Sequence, residues 1–279
     1  MTQTVLITGC SSGFGAATAR LFADRGWNVV ATMRDTTSGK DLAQCANILV
    51  THLDVQDADS IAAAVALTQD RFGRLDALIN NAGFGLSGVF EETPRAKIAE
   101  QFEVNLFGLM DVTRAVLPIM RRQRSGTIVN ITSGAGVFGL PLISLYTASK
   151  FAVEGFSESL SYELETLGIR VRLVEPGGVT STRFGERAGA EAAQAERIDD
   201  YAPFLAGAAK VFDAIRANRA GATMEEVAEV IYAATIDPSD RLRWVATDDI
   251  KPLVTARREA GEDRYMAMMR QQFRPTLPS

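Results

Sequence analysis

Tyr146 and Lys150 stand four positions apart in Tyr146-Thr147-Ala148-Ser149-Lys150, a stretch that reads as the start of a long helix. Positions i and i+4 of a helix share one face, so the phenol and the ammonium would point the same way. A free tyrosine, with a pKa of about 10, is a poor base at neutral pH. A nearby cation favours the phenolate. Lowering that pKa by roughly three units takes about 4 kcal/mol, at about 1.36 per unit. One charge about 4 Å away supplies only ~1 kcal/mol in bulk water, but ~4 at an effective dielectric of about 20. The pair is therefore useful for proton transfer only in a partly dry cleft. Taken alone, Tyr-x-x-x-Lys also fits a solvated surface pair, and the surrounding elements must decide between the two.

Composition removes several other chemistries. Of the 279 residues, 47% are apolar and 23% charged, enough for a sizeable core in one large domain or two small ones. The net charge of -5 and a pI near 5.1 argue against a nucleic-acid footprint. No run of about 18 apolar residues suggests a membrane span. The first eight residues lack a basic segment and a cleavage pattern, so the expectation is a cytoplasmic setting. Cys10 and Cys45 show neither a disulfide framework nor metal-ligand spacing. His52 is the only histidine, which excludes a Ser/His/Asp triad and any multi-histidine metal site, and no metal is expected.

The elements that would position the pair alternate between strand and helix. Val5-Leu6-Ile7 reads as a buried strand entering Thr8-Gly9, followed by Gly9-Cys10-Ser11-Ser12-Gly13-Phe14-Gly15 and a helical pattern over Ala16–Arg25. A glycine-rich turn between strand and helix lets backbone N–H groups approach a pyrophosphate at the helix N-terminus. Gly26–Thr32 reads as the second strand, ending in Met33-Arg34-Asp35. In a dinucleotide fold this end faces the adenosine ribose, where an acid suits NAD and an arginine suits NADP. Arg34 favours NADP, with Asp35 as the competing ribose acid. Ile48–Thr51 is a third strand leading to Asp54-Val55, where Asp54 could accept from an adenine amino group. Residues 57–72 are helical, and Asp76–Ile79 is a fourth strand running into Asn80-Asn81-Ala82-Gly83. Thr127–Thr132 and Val171–Glu175 read as further strands, with Leu242–Val245 as a seventh. Alternation of this kind implies right-handed crossovers, a parallel sheet and a ligand beyond its carboxyl edge. Every motif above sits at that edge.

With these pieces in hand, the chain resembles the short-chain dehydrogenase/reductase family. The resemblance rests on Thr8-Gly9-x-x-x-Gly13-x-Gly15, Asp54, Asn80-Asn81-Ala82-Gly83, Asn105, Ser133, Tyr146-x-x-x-Lys150 and Pro176-Gly177, in the family's order over roughly residues 4–181. It implies a single doubly wound α/β domain of the Rossmann type spanning 1–279, with a parallel sheet of about seven strands. It implies catalysis by Asn105, Ser133, Tyr146 and Lys150. Tyr146 would be the general acid/base, Lys150 its electrostatic partner and a ligand of the nicotinamide ribose, Ser133 the holder of the substrate oxygen, and Asn105 the carrier of a proton-relaying water. It implies a cofactor cradle of Gly9, Ser11, Ser12, Gly13, Phe14, Gly15, Arg34, Asp54, Val55, Asn81, Ala82, Gly83, Tyr146, Lys150, Pro176, Gly177, Val179 and Ser181. Residues 183–221, with helical stretches near 189–197 and 201–217, would be a variable substrate lid, and Met224–Thr235 a further helix capped by Thr223. Residues from Asp248 to 279 form a helical tail whose arginines alternate with acids like a solvated face; its Met266, Met268 and Met269 suit packing more than a pocket.

The implied activity is interconversion of a secondary alcohol and its ketone or aldehyde with NADP(H), NAD(H) being the alternative. The turn at Ala31–Asp35 and the long tail resemble the steroid- and retinoid-handling branch, hence a small, lipophilic carbonyl or alcohol substrate. A homodimer or homotetramer through the helices around 94–120 and 146–167 is the family's habit. Two rivals remain at this point: a dinucleotide-sensing regulator without turnover, and a sugar-nucleotide epimerase.

Overall fold

A computed structural model describes residues 2–179, 197–217 and 221–275. Seven strands, β1 (Thr4–Ile7), β2 (Asn28–Met33), β3 (Ile48–His52), β4 (Ala77–Asn80), β5 (Gly126–Ile131), β6 (Ile169–Glu175) and β7 (Arg243–Val245), form one sheet in the order β3-β2-β1-β4-β5-β6-β7. Each neighbouring pair is parallel. The single doubly wound domain expected from the alternation is what the chain forms.

Side chains alternate across a strand, and the two faces of this sheet feed two separate cores. Val5, Ile7, Val29, Ala31, Ile79 and Val129 face α1 (Gly13–Asp24) and α7 (Met224–Ile236), packing with Phe22, Val227 and Ile231. Leu6, Val30, Leu78 and Ile128 face the other way, onto Ile61 of α2 (Ala58–Phe72), Val112 and Val116 of α4 (Gly108–Gln123), and Leu160 of α5 (Ser144–Glu165). Strands covered on both faces read as continuous apolar runs, which is why Val5-Leu6-Ile7 and Ala77-Leu78-Ile79 gave such plain strand signals.

Strand order reverses between β1 and β4, and a crevice outside the carboxyl ends at such a point is where this architecture takes its ligand. Three helices deliver chemistry there. α1 begins at the glycine turn. α5 buries one stripe, Tyr146, Ser149, Lys150, Val153, Glu154 and Ser157, at spacings of three and four. The segment expected as one helix around Asn105 is α3 (Arg95–Phe102) joined to α4 through a π-turn at Glu103–Phe107. A π-turn shifts the side-chain register by one residue, and such turns gather at functional sites; this one turns Asn105 inward, 1% exposed.

The C-terminal half differs from expectation in one respect. Beyond α6 (Ala202–Ala217) and α7, the tail breaks into α8 (Lys251–Glu259) and α9 (Glu262–Phe273). Tyr265, Met269 and Phe273 join Val137, Phe138, Ile250 and Leu253 in a third core, with Met266 and Met268 packed on its margin. The tail is therefore an integral part of the domain, and its arginines do not form a wholly solvated face: Arg258 pairs with the fully buried Glu175. The expected helical stretch at 189–197 lies almost wholly outside the described residues. No helix among the described residues is long and apolar enough to cross a membrane.

Candidate active site

The glycine turn is held by the chain end of β4. Asn81 donates its amide N–H to Thr8 Oγ1 and its side-chain Nδ2 to the carbonyls of Thr8 and Gly9, at 2.9–3.1 Å, and the Ala82 N–H reaches the same Thr8 hydroxyl. The Asn81 side chain thus shapes the cradle from behind. Gly9 and Gly13 adopt φ of +73° and +59°, which L side chains rarely adopt. A Cβ on Gly15 would stand 2.3 Å from the Gly9 carbonyl oxygen, so the turn closes only with glycine there. Ser12 takes the N-cap position of α1 without a side-chain cap bond, and the first turn holds no acid. Its N–H groups therefore present an uncapped, positive helix end, flanked by the exposed Ser11 and Ser12 and the half-buried Phe14. Those features fit a dinucleotide pyrophosphate.

At the end of β2, Met33 is buried and Arg34 is exposed. One oxygen of the Asp35 carboxylate, the competing ribose acid, is engaged: Oδ1 accepts from the Thr37 N–H at 2.9 Å and from the Thr37 hydroxyl at 2.7 Å. Those bonds hold its pKa below the usual carboxylate range. His52 is exposed on the neighbouring strand with Nδ1 2.8 Å from the Arg34 carbonyl oxygen, a loop brace. Strand β3 ends at His52, before Asp54. The Asp54 carboxylate accepts from the Gln56 N–H, and Val55 is buried against Gly108, where a Cβ would come within 2.7 Å of it.

The structure brings Tyr146, Lys150, Ser133 and Asn105 to one end of the sheet. Ser133 follows β5 and caps a short turn through its Oγ, which accepts from the Ala135 N–H. The Ser133 hydroxyl also bonds Tyr146. Lys150 Nζ lies 5.8 Å from the Tyr146 ring centre and donates to the Ile131 carbonyl at 2.9 Å. Asn105 is engaged by protein partners. Its amide pairs with both backbone groups of Phe84, accepting at 3.0 Å and donating at 2.9 Å, and donates to Ser149 Oγ at 3.2 Å. It pins the loop after Gly83 to α5.

The electrostatics run opposite to the simple Tyr/Lys argument. Burial pushes the Tyr146 phenol up to about 12, with the Ser133 bond pulling back. Burial pushes Lys150 down to about 8, opposed by the charge of Glu154. In this protein alone, dehydration outweighs mutual help: the phenol keeps its proton at neutral pH and the amine keeps its charge.

Below β6, Pro176 accepts from the Gly134 N–H at 2.8 Å, and Gly177 donates to Thr247 Oγ1 at 2.8 Å. A Cβ on Gly177 would stand 2.3 Å from Asp249 Oδ1, so a larger residue there would have to displace the Asp249 and Thr247 side chains. Val179 is buried. Ser181 lies outside the described residues. Beside the start of α5 opens a cleft of about 390 Å³, lined by Val89, Phe90, Glu91, Leu142, Tyr201 and Phe204. Its rim is tied across the chain: the Tyr201 hydroxyl donates to Glu91 and the Ile198 N–H to Glu92, both at 2.8 Å.

Sequence reading missed the ionic layer under the site. Glu154, Glu158 and Glu175 meet Arg243 and Arg258 there. Glu154 was within reach, since it repeats the Tyr146–Lys150 interval once more; Arg243 and Arg258 carry no local signal. The Glu91–Tyr201 tie had none either.

A glycine turn at the reversal of a doubly wound sheet, aimed at a buried phenol and amine, defines a dinucleotide-dependent oxidoreductase. The chain belongs to the short-chain dehydrogenase/reductase family: the family model for short chain dehydrogenases matches residues 3–192. It is similar to 17-beta-hydroxysteroid dehydrogenase type 1 of Homo sapiens, 35% identical over 287 residues and covering 96% of this chain and 85% of that one. Among solved structures, it is similar to a short chain dehydrogenase/reductase of Burkholderia phymatum in complex with NAD, with TM-score 0.78, 28% identity and 100% and 98% coverage. It is also similar to ElxO with NADP bound, with TM-score 0.73, 26% identity and 88% and 97% coverage. The protein is thus an oxidoreductase acting on CH–OH groups of small molecules, with a nicotinamide dinucleotide cofactor.

Proposed function

We propose that the protein is an NADP(H)-dependent reductase of a lipophilic ketone or aldehyde. The observation that carries this reading is the geometry of the site: Tyr146 and Lys150 lie together on the buried stripe of α5, with Nζ 5.8 Å from the ring centre, beside the Ser133 turn, and burial raises the pKa of the phenol. Such a phenol is set to give a proton to a carbonyl oxygen, and general acid catalysis of this kind is worth about 10²–10⁴-fold. Nicotinamide supplies the hydride. Ser133 orients the substrate oxygen toward Tyr146, and Lys150 carries the charge that stabilises the phenolate left behind. Asn105 fixes the wall opposite, through Phe84 and Ser149. The turn of Gly9, Ser11, Ser12, Gly13, Phe14 and Gly15 would hold the pyrophosphate. Asp54 and Val55 would hold the adenine, and Ala82, Gly83, Pro176, Gly177 and Val179 would hold the nicotinamide end; Ser181, the remaining candidate there, is outside the described residues.

The preference for NADP rests on Arg34 being exposed while Oδ1 of Asp35 is engaged by Thr37. A guanidinium is a good planar partner for a phosphate. The apolar rim of Val89, Phe90, Leu142 and Phe204 supports a lipophilic substrate, with Tyr201 and Phe204 as the described part of a lid and residues 248–275 as the packed tail behind it. Phe107, Phe151 and Tyr162, exposed at the start of α4 and along α5, support a second copy docking on that surface. The test is consumption of NADPH and NADH across a panel of lipophilic ketones, in wild type and Arg34→Ala. The reading expects turnover that prefers NADPH, with the preference lost in the variant. Equal use of both cofactors, unchanged by the variant, would defeat the phosphate-clamp part of it.

A further inference from the structure

We propose that Glu154 is a positioning residue of the catalytic set, clamping the turn that carries Ser133 and supplying the negative charge against which the Lys150 ammonium sits. The proposal rests on the Tyr146/Lys150 reading above and adds to it a third member at the same interval. Tyr146, Lys150 and Glu154 follow one another at i, i+4 and i+8, and all three lie on the buried stripe of α5. Glu154 is 7% exposed, and both its oxygens are engaged. Oε1 accepts from the Thr132 hydroxyl at 2.7 Å, and Oε2 accepts from Arg243 Nε at 2.9 Å.

Thr132 is the residue before Ser133, so the first bond fixes the base of the Ser133 turn. The same turn rests on the Glu154 side chain through Gly136, where a Cβ would come within 3.1 Å of Glu154 Cγ. One carboxylate therefore touches both the strand end before Ser133 and the turn after it.

The charges around Glu154 come from every element packed on it. Lys150 and Glu158 share its helix, Glu175 closes β6, Arg243 belongs to β7 and Arg258 to α8. Arg243 faces Glu154, Glu158 and Glu175, and Arg258 faces Glu175. Burial raises the Glu154 pKa, while the Thr132 and Arg243 bonds and the charges of Arg243 and Arg258 pull it back, and a charged Glu154 in turn favours the ammonium of Lys150. An uncharged side chain of the same shape would leave Lys150 to dehydration alone, and the amine would lose its proton at lower pH.

The experiment is an NMR titration of the lysine side chains in full-length wild type, Glu154→Gln and Glu154→Asp, measured without turnover. The chain has five lysines, and Lys150→Arg identifies the signal. The midpoint of Lys150 is expected to fall by about one unit or more in Glu154→Gln and to recover in Glu154→Asp. The alkaline limb of kcat/KM for carbonyl reduction should move with it. An unmoved midpoint in folded Glu154→Gln, or an equal fall in Glu154→Asp, would overturn the charge role. Thr132→Val reads the clamp separately: kcat should fall several-fold with the Lys150 midpoint unmoved, and a wild-type kcat would overturn the clamp. Retained turnover in Tyr146→Phe would sink the catalytic reading underneath, while the lysine titration stands or falls on its own.

Discussion

At the residue scale the site is a contest between burial and partnership. Tyr146 is raised to about 12 and Lys150 lowered to about 8, because dry surroundings penalise both charged forms more than the neighbours repay. Reduction then needs no prior titration of the phenol at neutral pH, but it needs the ammonium. The expected pH dependence follows: kcat/KM for reduction is flat below about 8 and declines above it, as Lys150 gives up its proton. Initial rates over pH 6–10 check this (roughly the span in which Lys and Tyr titrate), and a rate that climbs through that range would speak against the assignment. Arg34 offers a second prediction at this scale. Losing one charge-assisted phosphate contact costs about 1.5–3 kcal/mol, so Arg34→Ala should weaken NADPH about 10- to 100-fold and leave NADH within about two-fold. Fluorescence titration of both cofactors measures it.

At the element scale, spacing did most of the work that made the fold legible. The apolar triplets of β1 and β4 are buried on both faces, so their signal is composition, which needs no partner to read. The glycine turn is legible for the same reason: Gly9, Gly13 and Gly15 each answer a local steric demand. Gly15→Ala is therefore expected to fold poorly around the cradle and lose cofactor binding by about tenfold or more, since the added methyl would sit 2.3 Å from the Gly9 carbonyl. Thermal melts with and without cofactor check this; an unchanged cofactor shift would contradict it. What stayed hidden was whatever depends on contact between distant segments. The π-turn at Glu103–Phe107 has no sequence mark beyond an asparagine in a helical run. The Arg243 and Arg258 pairs join residues more than eighty positions from their partners in Glu154 and Glu175.

For the whole molecule, those hidden pairs tie the C-terminal tail to the floor of the site. Glu175 is wholly buried, with Oε2 lacking a hydrogen-bond partner among the described residues, and burial and the charge of Glu154 push it up to about 7. Between its ordinary value of 4.5 and about 7 the folded chain holds a proton that the unfolded chain has released. Stability from this group is thus full below about pH 4.5, lost progressively toward 7, and flat above it. Chemical denaturation at pH 5 and pH 7.5 should show a difference on the order of 2 kcal/mol that Glu175→Gln abolishes. Persistence of the whole difference in that variant would assign it to other groups. The same architecture concentrates every motif at one edge of the sheet, which is why a chain read one stretch at a time still pointed to one crevice. The most direct test of that crevice follows the hydride itself. Wild type and Tyr146→Phe are each given 4-deuterated NADPH and a lipophilic ketone, and the alcohol product is weighed by mass spectrometry. The account predicts one deuterium on the carbinol carbon in wild type, and product reduced by about 10²–10⁴-fold in Tyr146→Phe with NADPH binding intact. Undiminished deuterium transfer in Tyr146→Phe would contradict it.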